Sequence, residues 1–428
     1  MDPLTKITVA GFKSLLEERS VEIRPLTILA GANSSGKSSL VQPLLLMKQT
    51  LESRYDPGPL LLKGPNAAFT AGDQFLSSRN GAPVEEFSIG FEAESGRAVR
   101  NTFRRKSSEP LSLSQSTYEI PKRSIKLQLS KGGEISRDEL AQFLRPLKYL
   151  SAKRRFRRTY EVKRHRCFLD FAESGWAQTL FEAVALNNLS TLLTALIHVP
   201  GLRDIPQRTY PRSSAGPAFE GTFTPYAASV IFDWRQSESP QLEALDEDLA
   251  TLQLTRGVVA EPVNESELAV KVDRLPTTSK GRKREAVDIA DVGFGLSQCL
   301  PVLVALNVAQ PNQTVYLEQP EIHLHPRAQA NLASVLVKAA NRGVRVIAET
   351  HSEILLLALQ AQLAKAKISP DEMALHWFQR RSDGVTDIHT AELDESGSYG
   401  NWPVDFADVS LEWQSRYLDA ADLVKSAS

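Results

Sequence analysis

The period of the apolar residues changes along the chain and marks out its elements. Short apolar runs at Ile7–Val9, Val21–Ile23 and Leu26–Ala30 alternate with turn residues, which predicts a hairpin leading into a buried strand. Leu40 to Met47 then continues as a helix. Residues 55–145 mix Pro, Gly and Ser with alternating segments such as Phe87–Phe91 and Ile125–Leu129, the pattern of an antiparallel β element. From Phe168 to Val199 the spacing of Trp176, Leu180, Ala183, Leu186, Leu189, Leu192 and Leu193 predicts helix, and 200–226, rich in Pro, Gly and Arg, predicts irregular chain. A second helical stretch covers Tyr226 to Leu254, and the polar turn Thr277–Arg284 separates two short strand candidates as a hairpin tip. Beyond Ile289 the order is a Gly-rich turn, helix Leu300–Val308, strand Thr314–Leu317, helix Pro326–Ala340, strand Val344–Ala348 and helix Ile354–Leu363. These are βαβ units, so the fold class is α/β with a mainly parallel sheet.

Composition narrows the setting without choosing a function. A chain of 428 residues with 42% hydrophobic residues can bury a large core. Lys and Arg (50) nearly balance Asp and Glu (51), so any surface for nucleic acid must be a local patch. Two distant cysteines, Cys167 and Cys299, exclude a disulfide framework and fit a reducing cytoplasm. No leader is visible at the amino terminus, and no apolar run is long enough to span a bilayer.

Residues 31–39 read Gly31-Ala32-Asn33-Ser34-Ser35-Gly36-Lys37-Ser38-Ser39, a complete G-x-x-x-x-G-K-S loop between a predicted strand and a predicted helix. In that setting backbone N–H groups and the helix N-terminus face phosphate, Lys37 reaches the β/γ-phosphates and Ser38 ligates Mg²⁺. A nucleoside triphosphate with Mg²⁺ is therefore the expected ligand.

Such a loop needs a carboxylate at a neighbouring strand end, and Val315-Tyr316-Leu317-Glu318 offers Glu318 for the metal side. In the following Gln319-Pro320-Glu321, Glu321 is a candidate to polarise the attacking water, or else a carboxylate at a helix N-terminus. His351 ends the next strand and could contact the γ-phosphate. Upstream, Gly293-Phe294-Gly295-Leu296-Ser297 opens a helix and makes a second anion site, with Gly295 and Ser297 as its contacts. One nucleotide rarely needs two such loops, so the second should face a nucleotide on another subunit. These halves divide the chain into 1–90 with the phosphate loop, an insertion at 91–285, a second half of the head at 286–392 and a tail at 393–428.

The ordered set of phosphate loop, glycine–serine signature, strand-end carboxylate with Pro-Glu and histidine resembles the ABC-type ATPase heads of the SMC, RecF and overcoming-lysogenization-defect (OLD) group. Gly31–Leu40 and Glu318–Pro326 most resemble OLD-like bacterial ATPases, many of them in anti-phage defence operons, as do Tyr149–Arg154, Gly201–Tyr210 and the tail at Trp402–Phe406. The resemblance implies a head-to-head homodimer, or a higher oligomer, with two ATP molecules sandwiched between Lys37 of one subunit and Ser297 of the other. Two departures matter. Ordinary heads carry Asp-Glu where this chain has Glu318-Gln319, and an amide cannot accept a proton, so either Glu321 becomes the base or turnover is slow. OLD nucleases also append a carboxylate-rich nuclease domain that has no counterpart after His351, which implies a separate effector, a nuclease or toxin.

Residues 151–168 form the densest basic patch, with Lys153, Arg154, Arg155, Arg157, Arg158, Lys163, Arg164 and Arg166 around Phe156 and Tyr160. That patch could bind nucleic acid, as a RecF- or SMC-like DNA-repair ATPase would require, or be a solvated arm. His323 and His325 form an H-x-H, but no third ligand lies nearby and the family pattern makes their role structural. Gln74 is a candidate Mg²⁺ contact, and Lys13 could approach the nucleotide from the first hairpin. A GTPase is disfavoured because no Asn-Lys-x-Asp motif is present.

Overall fold

The computed structural model describes residues 2–79, 81–105, 109–121, 123–128, 160–173, 186–214, 216, 218–274, 285–400, 412–413 and 415–419. Its centre is a six-stranded sheet in the order β12 (Ile197–Val199), β17 (Thr314–Glu318), β18 (Arg345–Thr350), β3 (Leu26–Gly31), β19 (Met373–Arg380) and β20 (Thr386–Thr390). The first five are parallel and β20 is antiparallel to β19. All six residues of β3 are buried, as are most of β17 and β18, which is why these strands read as continuous apolar runs.

Alternate residues of these strands feed two cores, as the two-residue period of a strand requires. Leu26, Ile28, Val315, Leu317, Val346 and Ala348 face one core, with α5 (Phe294–Val308), α6 (Pro326–Asn341) and α7 (Glu353–Ala364). Leu29, Tyr316, Ile347 and Phe378 face the other, with α1 (Lys37–Glu52) and α2 (Leu186–Thr194). Over that second core lies an antiparallel sheet ordered β2 (Arg19–Glu22), β1 (Leu4–Ala10), β6 (Glu86–Ala93), β7 (Ala98–Arg104), β8 (Ser112–Ile120) and β9 (Arg123–Gln128). The alternating burial of β1 and β8 shows that only one face of this sheet is covered. The hairpin β10 (Tyr160–His165) and β11 (Phe168–Glu173) is tied to it by buried polar bonds, Tyr118 donating to Leu169 O at 2.8 Å and Asn101 to Cys167 O at 2.8 Å. A third sheet, β13 (Tyr210–Pro211), β15 (Glu267–Asp273) and β14 (Val258–Pro262) with β16 (Ala286–Asp288) on β15, packs beside α3 (Ala227–Gln236) and α4 (Pro240–Thr251). A two-residue ladder joins β4 (Ser78–Arg79) to β5 (Ala82–Pro83).

The α/β class, the parallel sheet and the antiparallel element match the expectation from periodicity. The helix expected from Phe168 to Val199 does not run that far. Its start is β11, helix occupies Leu186–Thr194, and Ile197–Val199 forms the edge of the central sheet. A three-residue edge strand whose middle residue is His198 leaves too little pattern to separate from helix. The tip at Thr277–Arg284 lies outside the described residues, but the strands on either side, β15 and β16, do pair. Among the described residues no helix is long and apolar enough to cross a membrane.

Five phenylalanines, Phe12, Phe69, Phe75, Phe87 and Phe103, join the first hairpin to the antiparallel sheet. Phe87 stacks on Phe103 at 5.0 Å and meets both Phe12 and Phe75 at 5.5 Å, and it is buried with them. Phe87→Ala should therefore lower the unfolding free energy by about 3–5 kcal/mol. Chemical denaturation of the two proteins measures it, and a loss below about 1 kcal/mol would mean that the cluster carries no such burden.

Candidate nucleotide-binding site

The carboxyl ends of the parallel strands converge on one edge of the central sheet, where open α/β sheets place their ligands. β3 ends at Gly31, whose φ of 145° and close partner across the sheet exclude a side chain: a Cβ there would lie 2.4 Å from Phe378 O. Gly36, at φ 104°, starts α1, and a Cβ on it would meet Ser14 Oγ at 2.5 Å and Thr386 Oγ1 at 2.7 Å. The intervening loop is held from behind by Thr386, which donates to Ser35 O at 2.6 Å, and by Arg380, which donates to Ser34 O at 3.3 Å. No side chain caps α1, so the amides at its start are open to an anion.

A cleft of about 640 Å³ lies over this loop. Asn33, Ser34, Ser35, Gly36, Lys37, Ser38 and Ser39 make one wall, Lys13 and Gln74 another, and Gln319, Glu349, His351 and Arg380 the third. Lys37 Nζ donates to Gly31 O at 2.9 Å and Ala32 O at 2.8 Å, and burial pulls its ammonium down to about 8. His351 Nδ1 lies 2.7 Å from Gly31 O and Nε2 lies 2.9 Å from the Gln319 amide nitrogen. With Nδ1 donating to the carbonyl, Nε2 is left to accept from Gln319. Burial, then the Lys37 charge 3.2 Å away, lowers the His351 pKa and favours this neutral ring.

The acidic residues divide differently from the sequence expectation. Ser38 gives its hydroxyl to Glu349 at 2.8 Å, and Tyr316 donates to the other Glu349 oxygen. Glu318 stands opposite Glu349 across the parallel pair β17–β18, but its carboxylate turns toward the sheet edge, meeting His198 Nε2 at 3.2 Å and accepting from Gly201 N at 3.0 Å. Burial alone would raise the Glu318 pKa, but the His198 hydrogen bond brings it below the usual value. Glu321, expected to face the attacking water, lies behind the cleft: it accepts from Thr350 Oγ1 at 2.6 Å and His351 N at 3.2 Å, and burial raises its pKa. Gln319 and His351 do line the cleft, and Gln74 reaches it while bonded to Thr70.

Gly295 and Ser297 sit at the start of α5, outside the walls of this cleft, with Ser297 Oγ donating to Phe294 O at 2.8 Å. His325 caps α6 by accepting from Arg327 N, and the His323 carbonyl packs against Gly295. Among the described residues no cluster of His, Cys, Asp and Glu is suited to hold a metal. Of the basic patch, 151–159 lies outside the described residues, as do Tyr149–Arg154 and Trp402–Phe406. Arg164 pairs with Asp56 at 2.7 Å, and Arg166 donates to Thr50 O and Tyr55 O.

Sequence reasoning passed over Glu349, His198, Arg203 and Arg380. Glu349 ends an apolar strand just as Glu318 does, so the same signal was present. Arg203 and Arg380 act through backbone carbonyls and His198 through the Glu318 carboxylate, contacts that no spacing announces.

Glu349 also makes the site sensitive to pH. Burial pushes its carboxyl up to about 7, above the value near 4.5 of an unperturbed glutamate. The fold thus favours the neutral acid, and the associated stability is complete below pH 4.5 and is lost as pH rises through about 7. In nucleotide-free protein, Glu349→Gln should flatten this slope and be the more stable form at pH 8, by up to about 3 kcal/mol. Thermal unfolding from pH 4.5 to 8 measures it, and parallel curves for the two proteins would refute the assignment.

Among solved structures, an SMC head bound to the C-terminal winged-helix domain of ScpA has 11% identity and a TM-score of 0.48, covering 92% of this chain and 99% of that one. The SMC head domain from Thermotoga maritima has 12% identity and a TM-score of 0.42, covering 91% and 99%. An SMC head from Pyrococcus furiosus, with an extended coiled coil and bound to ScpA, has 11% identity and a TM-score of 0.44, covering 91% and 96%. No curated protein matches the chain. A family profile described as "AAA domain, putative AbiEii toxin, Type IV TA system" matches residues 26–181 and 210–358, more than half of the sequence. With the phosphate loop at the start of that match and His351 near its end, the chain belongs to this AAA-domain family.

Proposed function

We propose that the protein is an ATPase that binds ATP with Mg²⁺ in the cleft over residues 31–39, closes as a head-to-head dimer, and thereby gates a separate effector in anti-phage defence. The observation that carries this reading is the convergence of Lys37, Ser38, Glu349, Gln319 and His351 at an uncapped helix N-terminus. The Ser38 hydroxyl and the Glu349 carboxylate form a set of hard oxygen donors suited to Mg²⁺ rather than a softer metal. When bound, the ion would neutralise charge on the β- and γ-phosphates. Lys37 would leave the carbonyls of Gly31 and Ala32 for phosphate oxygen, while Gln319 and His351 would orient water at the γ-phosphate.

Gln319 cannot take a proton, and Glu321 acts through Thr350 and the His351 amide rather than on water. Turnover is then slow, and ATP serves chiefly to hold two subunits together. Gly295 and Ser297 lie outside the cleft of their own chain, at the start of α5, and in the proposed dimer that helix start would cover the nucleotide of a partner, with the Ser297 hydroxyl turning from Phe294 O. The family description, which names a putative toxin of a type IV toxin–antitoxin system, supports a role in defence with a second component. The rival, a DNA-repair ATPase gripping DNA through 151–168, is weakened because Arg164 and Arg166 are spent on internal contacts.

Lys37→Ala should abolish ATP binding, and Ser297→Arg should bind ATP yet remain monomeric by light scattering. ATP-induced dimerisation of the Ser297 variant at the wild-type level would remove the shared-nucleotide arrangement. Glu349→Gln should reduce Mg-ATP turnover by about 10²-fold or more, and Glu321→Gln by less than about tenfold. The opposite ranking in a phosphate-release assay would return the base to Glu321.

A further inference from the structure

A second cavity, of about 260 Å³, lies between the segment 203–211, α3 and the start of α5. Its walls are largely apolar, with Ile205, Ala228, Val270, Leu300 and Pro301 among them and Asp204 as the one acidic residue. Two other lining residues carry buried polar atoms that have no hydrogen-bond partner: Arg203, at Nε and Nη1, and Thr224, at Oγ1. Arg203 is only 7% exposed. The Arg203 charge is partly answered by Glu321 and Glu318 nearby, but two guanidinium nitrogens withdrawn from water without a hydrogen bond are costly, and an oxygen anion is a partner that would satisfy them. The apolar walls add a requirement for a hydrocarbon body, and the volume, below that of drug-sized sites, limits its size.

Arg203 is also bonded to the nucleotide cleft. Its Nη2 donates to Glu318 O at 2.8 Å and to Gln319 O at 3.3 Å. Gln319 has a φ of 45°, and its side chain meets His351 inside the cleft. Ser297 lines the second cavity itself. Any anion that draws the guanidinium toward the cavity competes with the backbone carbonyls that fix Gln319, and such competition couples the two sites.

We infer that this cavity binds a small organic carboxylate with an apolar body, and that Arg203 transmits its occupancy to the Gln319 turn. The binding half of the inference is independent of the proposed ATPase activity, and only the coupling half rests on it.

The full chain, titrated by calorimetry with hexanoate and phenylacetate, tests the first half, with hexanol, phenylacetamide and inorganic phosphate as controls. The carboxylates should bind at least about tenfold more tightly than their neutral counterparts and than phosphate. Arg203→Met should lose that preference, Thr224→Val should weaken it, and Ala228→Phe should block both carboxylates by filling the cavity. Equal binding of hexanol, equal binding of phosphate, no carboxylate binding, or binding retained in folded Ala228→Phe would each overturn the site. If Arg203→Met does not fold, the Thr224 and Ala228 variants decide. ATP affinity measured with and without saturating hexanoate tests the second half: a shift of about threefold or more is expected, and unchanged affinity beside intact carboxylate binding would refute the coupling alone.

Discussion

The hydrogen bond from Ser38 to Glu349 is the interaction around which the site is assembled, because it joins the first turn of α1 to a carboxylate that the sheet has buried. Glu349 is 2% exposed, and its register opposite Leu29 on one side and Glu318 on the other fixes it over the core beneath α1. A carboxyl in that position is tolerable only while both oxygens are bonded, and the hydroxyls of Ser38 and Tyr316 do this. The phosphate loop is therefore anchored at its helix end by a group that also responds to charge. An arriving cation would favour the ionised carboxylate that burial opposes, so ligand binding and the electrostatics of this core are linked.

Around that contact the strand-end turns are braced from behind by polar groups rather than by apolar packing. Glu321 accepts from Thr350 and from the His351 amide, holding the ring that faces Gln319. His198, from the short edge strand β12, holds Glu318, and its other nitrogen lies 3.0 Å from Asn66 Oδ1. Arg203 places its positive charge among Glu318, Glu321 and the carbonyls that follow β17. Three buried or partly buried acids are thus distributed over three different tasks, and each is positioned by partners on a different strand or loop. Pairing of this kind is expected where a charge must be kept inside a protein without being allowed to move.

The parts of this architecture legible in the sequence are those that repeat or punctuate. The phosphate loop, the strands β3, β17 and β18, the helices α5 to α7 and the antiparallel alternation within residues 55–145 each leave a period or a glycine signature, whereas β12 and β19 of the same parallel sheet do not. Residues such as Arg203 and His198 leave none, because an arginine in a Pro-rich segment and a histidine between two apolar residues look alike whether they are buried or exposed. Glu318 and Glu349 show the limit of the strand-end rule: both satisfy it, and only the lean of Glu318 toward His198 separates them. That lean is a tertiary fact, decided by β12, the element whose three residues were read as the end of a helix.

Gln319 is better understood as a consequence of this arrangement than as a defect in it. It lines a cleft that already holds the Glu349 carboxylate, with Glu318 adjacent in the chain and Glu321 two residues further on. A fourth carboxylate there would stand beside a histidine kept neutral by burial and by Lys37, and could recover little attraction in return. An amide instead donates to the neutral ring at Nε2 and keeps its oxygen for water or a phosphate-bound hydroxyl, with no charge to desolvate. The cost is the loss of a proton acceptor at the position where rapid hydrolysis would use one. The gain is one buried negative charge fewer in the cleft, a property that the proposed ATP-held dimer would need more than a rapid motor would.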